Sequence, residues 1–236
     1  MPVIELKKYI MLYFLKLYLF IRGEATIERY KDNLALIEYL NRDPLNKCTE
    51  KIFEKNSLIV DEYEKSSHLY YVVEGVACVE ILNDGQQYIS SFIFQNDFFG
   101  LDSFSTFNKK EHGIRVISET ATIISLPKGR LLASLNEEPQ NYELLLTNFA
   151  DIFQRHYSYF NFLHLPTKDR IKQALQYLSD HIGIVTIEEH LELPRFITQE
   201  ILSKFCRTSQ SRVSVSLKEL EKTGWLLKKK VPITLN

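Results

Sequence analysis

The sequence has few of the residues on which metal sites, disulfide frameworks and catalytic centres depend. Its 236 residues include only three cysteines, Cys48, Cys78 and Cys206, which are far apart and odd in number. This spacing, with no C-x-x-C pair, argues against a disulfide framework, a cysteine zinc site or a four-cysteine iron–sulfur cluster, and it favours a reducing compartment. The chain also lacks a nucleophile elbow, a phosphate-binding glycine loop and an H-E-x-x-H motif. We therefore expect no metal, no cofactor and no enzymatic activity.

One hydrophobic run raises the question of a membrane. Residues 10–21 are strongly apolar and follow Lys7 and Lys8, as the core of a signal peptide would. The run is short for a membrane span and carries Lys16, and no small-residue cleavage site follows it. We favour an N-terminal helix that packs on the rest of the chain or on a partner subunit. A membrane anchor and a translation start at Met11 or later are the alternatives.

Charge is distributed unevenly along a chain of ordinary globular composition. The net charge is −1, and 25% of the residues are charged. From Pro166 onward there are 12 lysines and arginines against 8 acids, a net of +4, whereas the preceding residues have 17 against 22, a net of −5. A basic end on an acidic body is typical of a protein whose C-terminal region contacts nucleic acid.

The basic end contains the pattern of a helix-turn-helix. Two short segments each have one apolar face at helical spacing: Ile201, Leu202 and Phe205 in the first, and Val213, Leu217 and Leu220 in the second. Ser209 stands where an N-cap hydroxyl is needed, and Gly224 ends the second helix. The outward positions of the second helix are small, polar or basic, as a surface that approaches base edges and phosphates requires. A solvated helical face with a basic tail is the alternative interpretation.

The middle of the chain is predicted to form strands. Residues 69–82 are rich in β-branched and aromatic side chains, and Asn83-Asp84-Gly85 is a strong hairpin signal before the returning strand at residues 87–94. Residues 116–126 add two short strands. This regular spacing predicts an antiparallel sandwich or barrel.

After Pro139 the period changes to that of a long helix. Apolar or aromatic residues recur with alternating gaps of three and four, at Tyr142, Leu145, Phe149, Ile152, His156, Tyr159 and Leu163. This heptad seam predicts pairing with an identical helix. The alternative is a helix that lies on its own sheet, a contact that Phe153 and Phe160 could make at the same time. Beyond Pro166 we expect another amphipathic helix and then, at residues 226–235, a hairpin with three lysines at its tip.

Several short motifs, taken in order, resemble one family. They are Leu69-Tyr-Tyr-Val-Val-Glu-Gly75, Asp84-Gly85, Asp97-Phe-Phe-Gly100, Thr120-Ala121, Ser209-Gln-Ser-Arg-Val213 and Leu217-Lys-Glu-Leu-Glu-Lys-Thr-Gly224. Their order and spacing resemble the cyclic-AMP receptor/FNR (Crp/Fnr) family of bacterial transcription regulators. The resemblance implies an α+β fold: an N-terminal cyclic-nucleotide-binding-like antiparallel β-roll with a helical segment before it (1–136), a long dimerisation helix (137–165) and a C-terminal winged helix-turn-helix (166–236).

The resemblance also implies a function. It predicts a homodimeric cytoplasmic transcription regulator that binds a palindromic site in double-stranded DNA, and it admits RNA polymerase and an unidentified small effector as further partners. The expected DNA-binding residues are Ser209, Gln210, Ser211, Arg212, Ser214, Val215, Lys218, Lys228, Lys229 and Lys230, and the expected dimer interface is the heptad seam. The alternative is an interaction protein with the same domain, membrane-associated through residues 10–21, that does not bind DNA.

Two departures from the family pattern concern the ligand of the β-roll and the turn of the helix-turn-helix. Cyclic-nucleotide binders of this family have a glutamate after the Phe-Gly pair and an Arg-Ser pair for the phosphate, where this chain has Leu101 and Glu111-His-Gly113. Because a carboxylate repels a phosphate and Arg115 is displaced from the required position, we expect no cyclic-nucleotide binding. Arg207 occupies the usual glycine of the helix-turn-helix turn, where a positive φ costs roughly 1 kcal/mol. We expect either a remodelled turn or an arginine that faces a phosphate.

Overall fold

The fold is seen in a computed structural model that describes residues 33–40, 48–61, 67–106 and 112–236. The N-terminal half consists of helix α1 (33–40), strands β1 (Thr49–Glu54), β2 (Leu58–Val60), β3 (His68–Glu74), β4 (Ala77–Asn83), β5 (Gln86–Ile93) and β6 (Phe98–Phe99), a 3₁₀ helix (Leu101–Phe104), and strands β7 (His112–Val116) and β8 (Thr120–Pro127). The predicted N-terminal helix at residues 10–21 lies outside the described residues.

The C-terminal half is mainly helical. It consists of α2 (Lys128–Glu137), α3 (Asn141–Leu163), α4 (Thr167–Ile182), β9 (Ile184–Val185), β10 (Leu191–Glu192), α5 (Gln199–Phe205), α6 (Gln210–Lys222), β11 (Leu226–Lys228) and β12 (Thr234–Leu235). The last four strands form one sheet in the order β11-β12-β10-β9, so the predicted C-terminal hairpin is present as a wing after α6. None of the helices described is both long and apolar enough to cross a membrane.

The predicted antiparallel β-structure is a roll of two four-stranded sheets. The strand orders are β1-β8-β3-β6 and β2-β7-β4-β5, and buried side chains such as Val72, Ala77 and Val116 fill the space between the sheets. The predicted run at residues 69–82 divides into β3 and β4 at Gly75. Gly75 has φ +96°, and a Cβ there would meet the Thr120 carbonyl oxygen at 2.5 Å, so both the conformation and the space require glycine.

The hairpin between β4 and β5 has the turn that the sequence predicts. Asp84 and Gly85 have φ values of 51° and 74°. A two-residue turn with positive φ at both central positions matches the twist of the flanking strands, which explains the preference for Asp-Gly there. The pairing runs from Asn83↔Gln86 to Ala77↔Ile93. The prediction of a hairpin at this point is confirmed.

The long helix α3 turns its heptad seam toward its own chain. Leu145 is buried, and Tyr142, Phe149 and Ile152 pack against the core that joins α1, α2 and the β-roll. Tyr159 is buried and Leu163 is partly buried in a second core, which joins the roll to the C-terminal helices. His156 is half-buried, and burial is the main reason that its pKa is lowered. The seam that predicts a dimer contact is therefore largely occupied within one chain.

A different row of α3 faces solvent. Leu146, Phe153, Tyr157 and Phe160 have 65%, 59%, 64% and 60% of their surface exposed. Their gaps of seven, four and three are those of a second heptad seam, and each residue follows a member of the first seam by one position. The helix thus lies on its own chain, as the alternative interpretation has it, but it does so through the first seam and not through Phe153 and Phe160. We name Leu146, Phe153, Tyr157 and Phe160 the exposed row.

One buried ion pair joins α3 to the roll. The Arg155 guanidinium donates to both carboxylate oxygens of Asp97, at 2.6 and 3.0 Å, and the side chains are only 19% and 7% exposed. Asp97 also accepts a hydrogen bond from the Phe94 amide at 2.9 Å. Asp97 of the Asp-Phe-Phe-Gly motif thus anchors the long helix, in addition to its hydrogen bond within the turn.

We expect Arg155→Met to destabilise the fold by about 3–5 kcal/mol, because it leaves the Asp97 carboxylate buried without its cation. Lys55→Met is the matched control, since the Lys55–Glu119 pair is exposed and a surface pair contributes about 0–1 kcal/mol. Urea denaturation measures both. Equal losses in the two variants would contradict the importance of the buried pair.

Candidate nucleic-acid interface

Helices α5 and α6 begin at side chains that cap their first turn. The Thr198 hydroxyl accepts a hydrogen bond from the Ile201 amide, and the Ser209 hydroxyl accepts one from the Arg212 amide, both at 3.3 Å. These bonds satisfy amides that a helix leaves without an intrahelical partner. The predicted helix-turn-helix, including the role of Ser209 as N-cap, is therefore confirmed.

The turn between the two helices keeps its shape although it contains no glycine. Arg207 has a φ of 46°, in the left-handed region, and the Thr208 amide donates to the Ser203 carbonyl oxygen at 3.0 Å. Arg207 thus adopts the positive φ that glycine adopts most readily. The guanidinium carbon of Arg207 lies over the rings of Tyr88 and Tyr159, 5.3 and 6.0 Å from their centroids. The side chain thus contacts the β-roll and the long helix.

Helix α6 separates a buried face from an exposed one. Val213, Leu217 and Leu220 are buried in the core shared with α4 and α5. Every residue predicted to approach DNA from this helix is exposed: Gln210, Ser211, Arg212, Ser214, Val215 and Lys218. Ser209 is exposed too, but its hydroxyl is committed to the N-cap and lies 2.9 Å from that of Ser211. The structure brings these predicted residues together on one side of α6.

Both acids near this face are neutralised by lysines of the same chain. Glu219 lies 3.3 Å from the Lys168 ammonium, and Glu221 lies 2.5 Å from that of Lys229. The hydrogen bond from Lys229 holds the pKa of the Glu221 carboxyl below its usual range. Because both carboxylates are paired with lysines, they repel an anionic partner less. The exposed basic residues of this face therefore favour such a partner.

The wing presents two of its three lysines outward. Lys228 and Lys230 are exposed, whereas Lys229 is half-buried and fixed on Glu221 through its ammonium. Its amide also donates to Glu221, at 3.4 Å. In this structure Lys229 ties the wing to α6, and its contact with a phosphate stays a prediction. No sequence pattern predicts this pairing, because Glu221 and Lys229 belong to different elements and are not related by helical or strand periodicity.

In the β-roll, the arginine nearest to the expected phosphate position is paired with a carboxylate. Leu101 is buried, and Arg115 donates through Nε to Glu80 and through Nη1 to the Asn56 carbonyl oxygen, each at 2.7 Å. Glu80 also accepts from Gln87 at 2.6 Å. The side chains of Arg115, Glu80 and Gln87 line an open cleft of about 250 Å³. The guanidinium that could hold a phosphate is thus occupied by a carboxylate; Glu111 lies outside the described residues.

Comparisons with known proteins agree with this architecture. Residues 50–138 match the family of the cyclic nucleotide-binding domain. A cyclic nucleotide-binding domain containing protein from Listeria monocytogenes EGD-e is similar in structure, with 33% identity and a TM-score of 0.75 over 86% of this chain and 97% of that one. A search of the curated proteins gives no significant match.

Two more distant solved structures share the fold. One is the c-di-GMP responsive global regulator CLP of Xanthomonas campestris, with 17% identity and a TM-score of 0.71 over 86% of this chain and 98% of that one. The other is a CRP/FNR-family transcriptional regulator of Thermus thermophilus, with 18% identity and a TM-score of 0.65 over 80% and 93% of the two chains. The β-roll, long helix and winged helix-turn-helix of this chain therefore have the architecture of the Crp/Fnr transcription regulators.

Within that architecture, the chain belongs to the family of proteins that contain a cyclic nucleotide-binding domain. The family predicted from the sequence motifs is confirmed, and so is the α+β fold class. Transcription regulators with this fold are not enzymes.

We expect calorimetry with cyclic AMP or cyclic GMP at millimolar concentration to show no specific heat. The reason is that Arg115 is held by Glu80 and that Leu101 replaces the ribose-binding glutamate. Micromolar binding that disappears in Arg115→Gln would contradict this expectation, because it would mean that the cyclic phosphate displaces Glu80 from the guanidinium.

Proposed function

We propose that this protein is a sequence-specific DNA-binding transcription regulator that acts as a homodimer in the cytoplasm and catalyses no reaction. The observation that carries the proposal is the exposed face of α6, whose small, polar and basic residues stand clear of the rest of the chain. An α-helix with its side chains is about 10–12 Å across and fits the major groove, which is about 12 Å wide.

Within this face, we assign separate roles to the first turn and to the basic residues farther along. Gln210 and Ser211 begin the helix and are suited to base edges, and Val215, one turn on, can touch a thymine methyl group. Arg212 can reach a guanine edge or a phosphate. Lys218, together with the wing residues Lys228 and Lys230, is suited to phosphates, which position a protein on DNA without reading its sequence.

The dimer contact that we propose is the exposed row of α3. Four large apolar side chains with heptad spacing form a stripe that an identical helix can cover through knobs-into-holes packing. The first seam is unsuited to that role because Leu145 and Tyr159 are buried in the chain's own cores. A two-fold dimer implies a palindromic site with half-sites about one helical turn apart. A contact with RNA polymerase stays a prediction.

We expect the double variant Phe153→Glu/Phe160→Glu to sediment as a folded monomer, because two like charges on each helix cannot be buried against the same charges of a partner. Ile52→Glu is the matched control: Ile52 is 65% exposed on β1, away from α3, and this variant should remain a dimer. Circular dichroism verifies that both variants are folded. A double variant that still sediments as a dimer would show that the exposed row is not the interface.

We expect Gln210→Ala and Lys230→Ala to alter DNA binding in different ways. Loss of Gln210 should relax the preference for particular base pairs by roughly 1–3 kcal/mol per lost contact. Loss of Lys230 should weaken all duplexes alike and reduce the dependence of affinity on salt, because one fewer counterion is released. The measurement is a panel of duplexes titrated at several salt concentrations.

Lys55→Ala is the control for the DNA titrations, since it removes a lysine from the β-roll and should change neither quantity. Identical behaviour of Gln210→Ala and Lys230→Ala on every duplex would contradict the division between reading and positioning residues. A wild-type protein that binds no duplex would overturn the proposed function in favour of an interaction protein that does not bind DNA.

A further inference from the structure

The helix-turn-helix is packed directly on the β-roll. Phe205, the last residue of α5, lies with its ring centroid 4.8 Å from that of Phe92 on β5. It also stacks on Tyr159 and packs on Phe162 of the long helix, at 5.2 and 5.3 Å. The buried core that contains these rings extends from the roll to α6 without interruption. Contacts at the end of α5, together with those of Tyr177 on α4 with Phe92 and Phe94, therefore hold α6 in place relative to the roll.

Polar groups at the edge of this aromatic core join the same three elements. The Tyr159 hydroxyl lies 3.0 Å from the Ile89 carbonyl oxygen of β5 and 3.2 Å from that of Phe205. The Lys204 ammonium donates to the Gln87 side-chain oxygen at 3.2 Å. One side chain of α3 thus touches both the roll strand and the end of the first helix of the helix-turn-helix.

Arg207 completes this junction from within the turn. Its guanidinium lies over Tyr88 of β5 and Tyr159 of α3, which is the geometry of a cation–π contact at each ring. Burial raises the pKa of the Tyr159 hydroxyl, and the nearby positive charge of Arg207 opposes that rise. Glycine would adopt the positive φ of this position without strain but would have no side chain to reach either ring.

We propose that Arg207 is a positioning residue: with Tyr88 and Tyr159 it forms a latch that holds the helix-turn-helix on the β-roll and thereby sets the position of the reading helix for DNA. The docked arrangement leaves the reading face of α6 exposed, so the latched state is compatible with DNA binding. A latched unit loses less conformational freedom on binding, which raises its affinity. The part that concerns DNA rests on the proposed function; the latch itself does not.

The experiment is a double-mutant cycle with Arg207→Gly and Tyr88→Leu, measured by urea denaturation at one fixed protein concentration. The strain that glycine relieves at position 207 is the same with either residue at position 88, so the cycle cancels it. We expect the effect of Arg207→Gly on the unfolding constant to differ about threefold to tenfold between the wild-type background and the Tyr88→Leu background. Tyr88→Phe is the conservative control: it keeps the ring and should retain the coupling.

DNA affinity of the same variants tests the consequence of the latch. Arg207→Gly and Tyr88→Leu should each weaken binding severalfold, the double variant should be little worse than either, and Tyr88→Phe should bind as the wild type does. Additive effects in denaturation would overturn the latch.

Two other outcomes separate the latch from different roles of Arg207. Weaker DNA binding in Arg207→Gly alone, with a reduced salt dependence, would assign the residue to a phosphate and overturn the positioning role. Coupling in denaturation with no DNA binding by the wild type would support the latch as a domain contact and contradict the proposed function.

Discussion

The structure depends on a long helix that packs against two cores of its own chain and leaves one apolar row exposed. Helix α3 buries Leu145 in the core of the N-terminal half and Tyr159 in the core shared with the C-terminal half, and the Arg155–Asp97 pair fixes its middle on the roll. These contacts fix the rotation of the helix about its axis. They therefore also decide that the exposed row points away from the chain.

This dependence explains why the sequence predicts the helix but not which of its faces is buried. Two rows with heptad spacing run along α3, displaced from each other by one residue, which is about 100° around the helix. Periodicity alone does not tell which row meets the chain's own sheets, because both are apolar. The burial of Leu145 and Tyr159, and the exposure of Phe153 and Phe160, follow from the shape of the surfaces against which α3 packs.

Local features were predictable where a local cause is sufficient. Ser209 as N-cap and Asp84-Gly85 as a hairpin turn each follow from the chemistry of a few adjacent residues. The pairing of Lys229 with Glu221, of Arg115 with Glu80 and of Arg207 with Tyr88 joins elements that are separate in the chain, and no sequence pattern marks it. Each of these pairings also engages a lysine or arginine that, judged from the sequence alone, would be available to contact a phosphate.

The ion pairs in the two halves of the chain point to the same site for an anionic partner. In the roll, Arg115 is paired with Glu80, so the guanidinium nearest to the expected phosphate position is already bound to a carboxylate. In the C-terminal unit, Glu219 and Glu221 are each held by a lysine, and the exposed face of α6 keeps Arg212 and Lys218. The anionic partner of this protein is thus expected at the helix-turn-helix and not in the roll.

The most direct test of this account is selection from a pool of random DNA duplexes by the wild-type protein at physiological salt. A dimer that presents two copies of α6 should enrich an inverted repeat whose half-site centres lie about one helical turn apart. Enrichment of a single asymmetric motif would contradict the two-fold dimer, and the absence of any enriched sequence would contradict sequence-specific DNA binding.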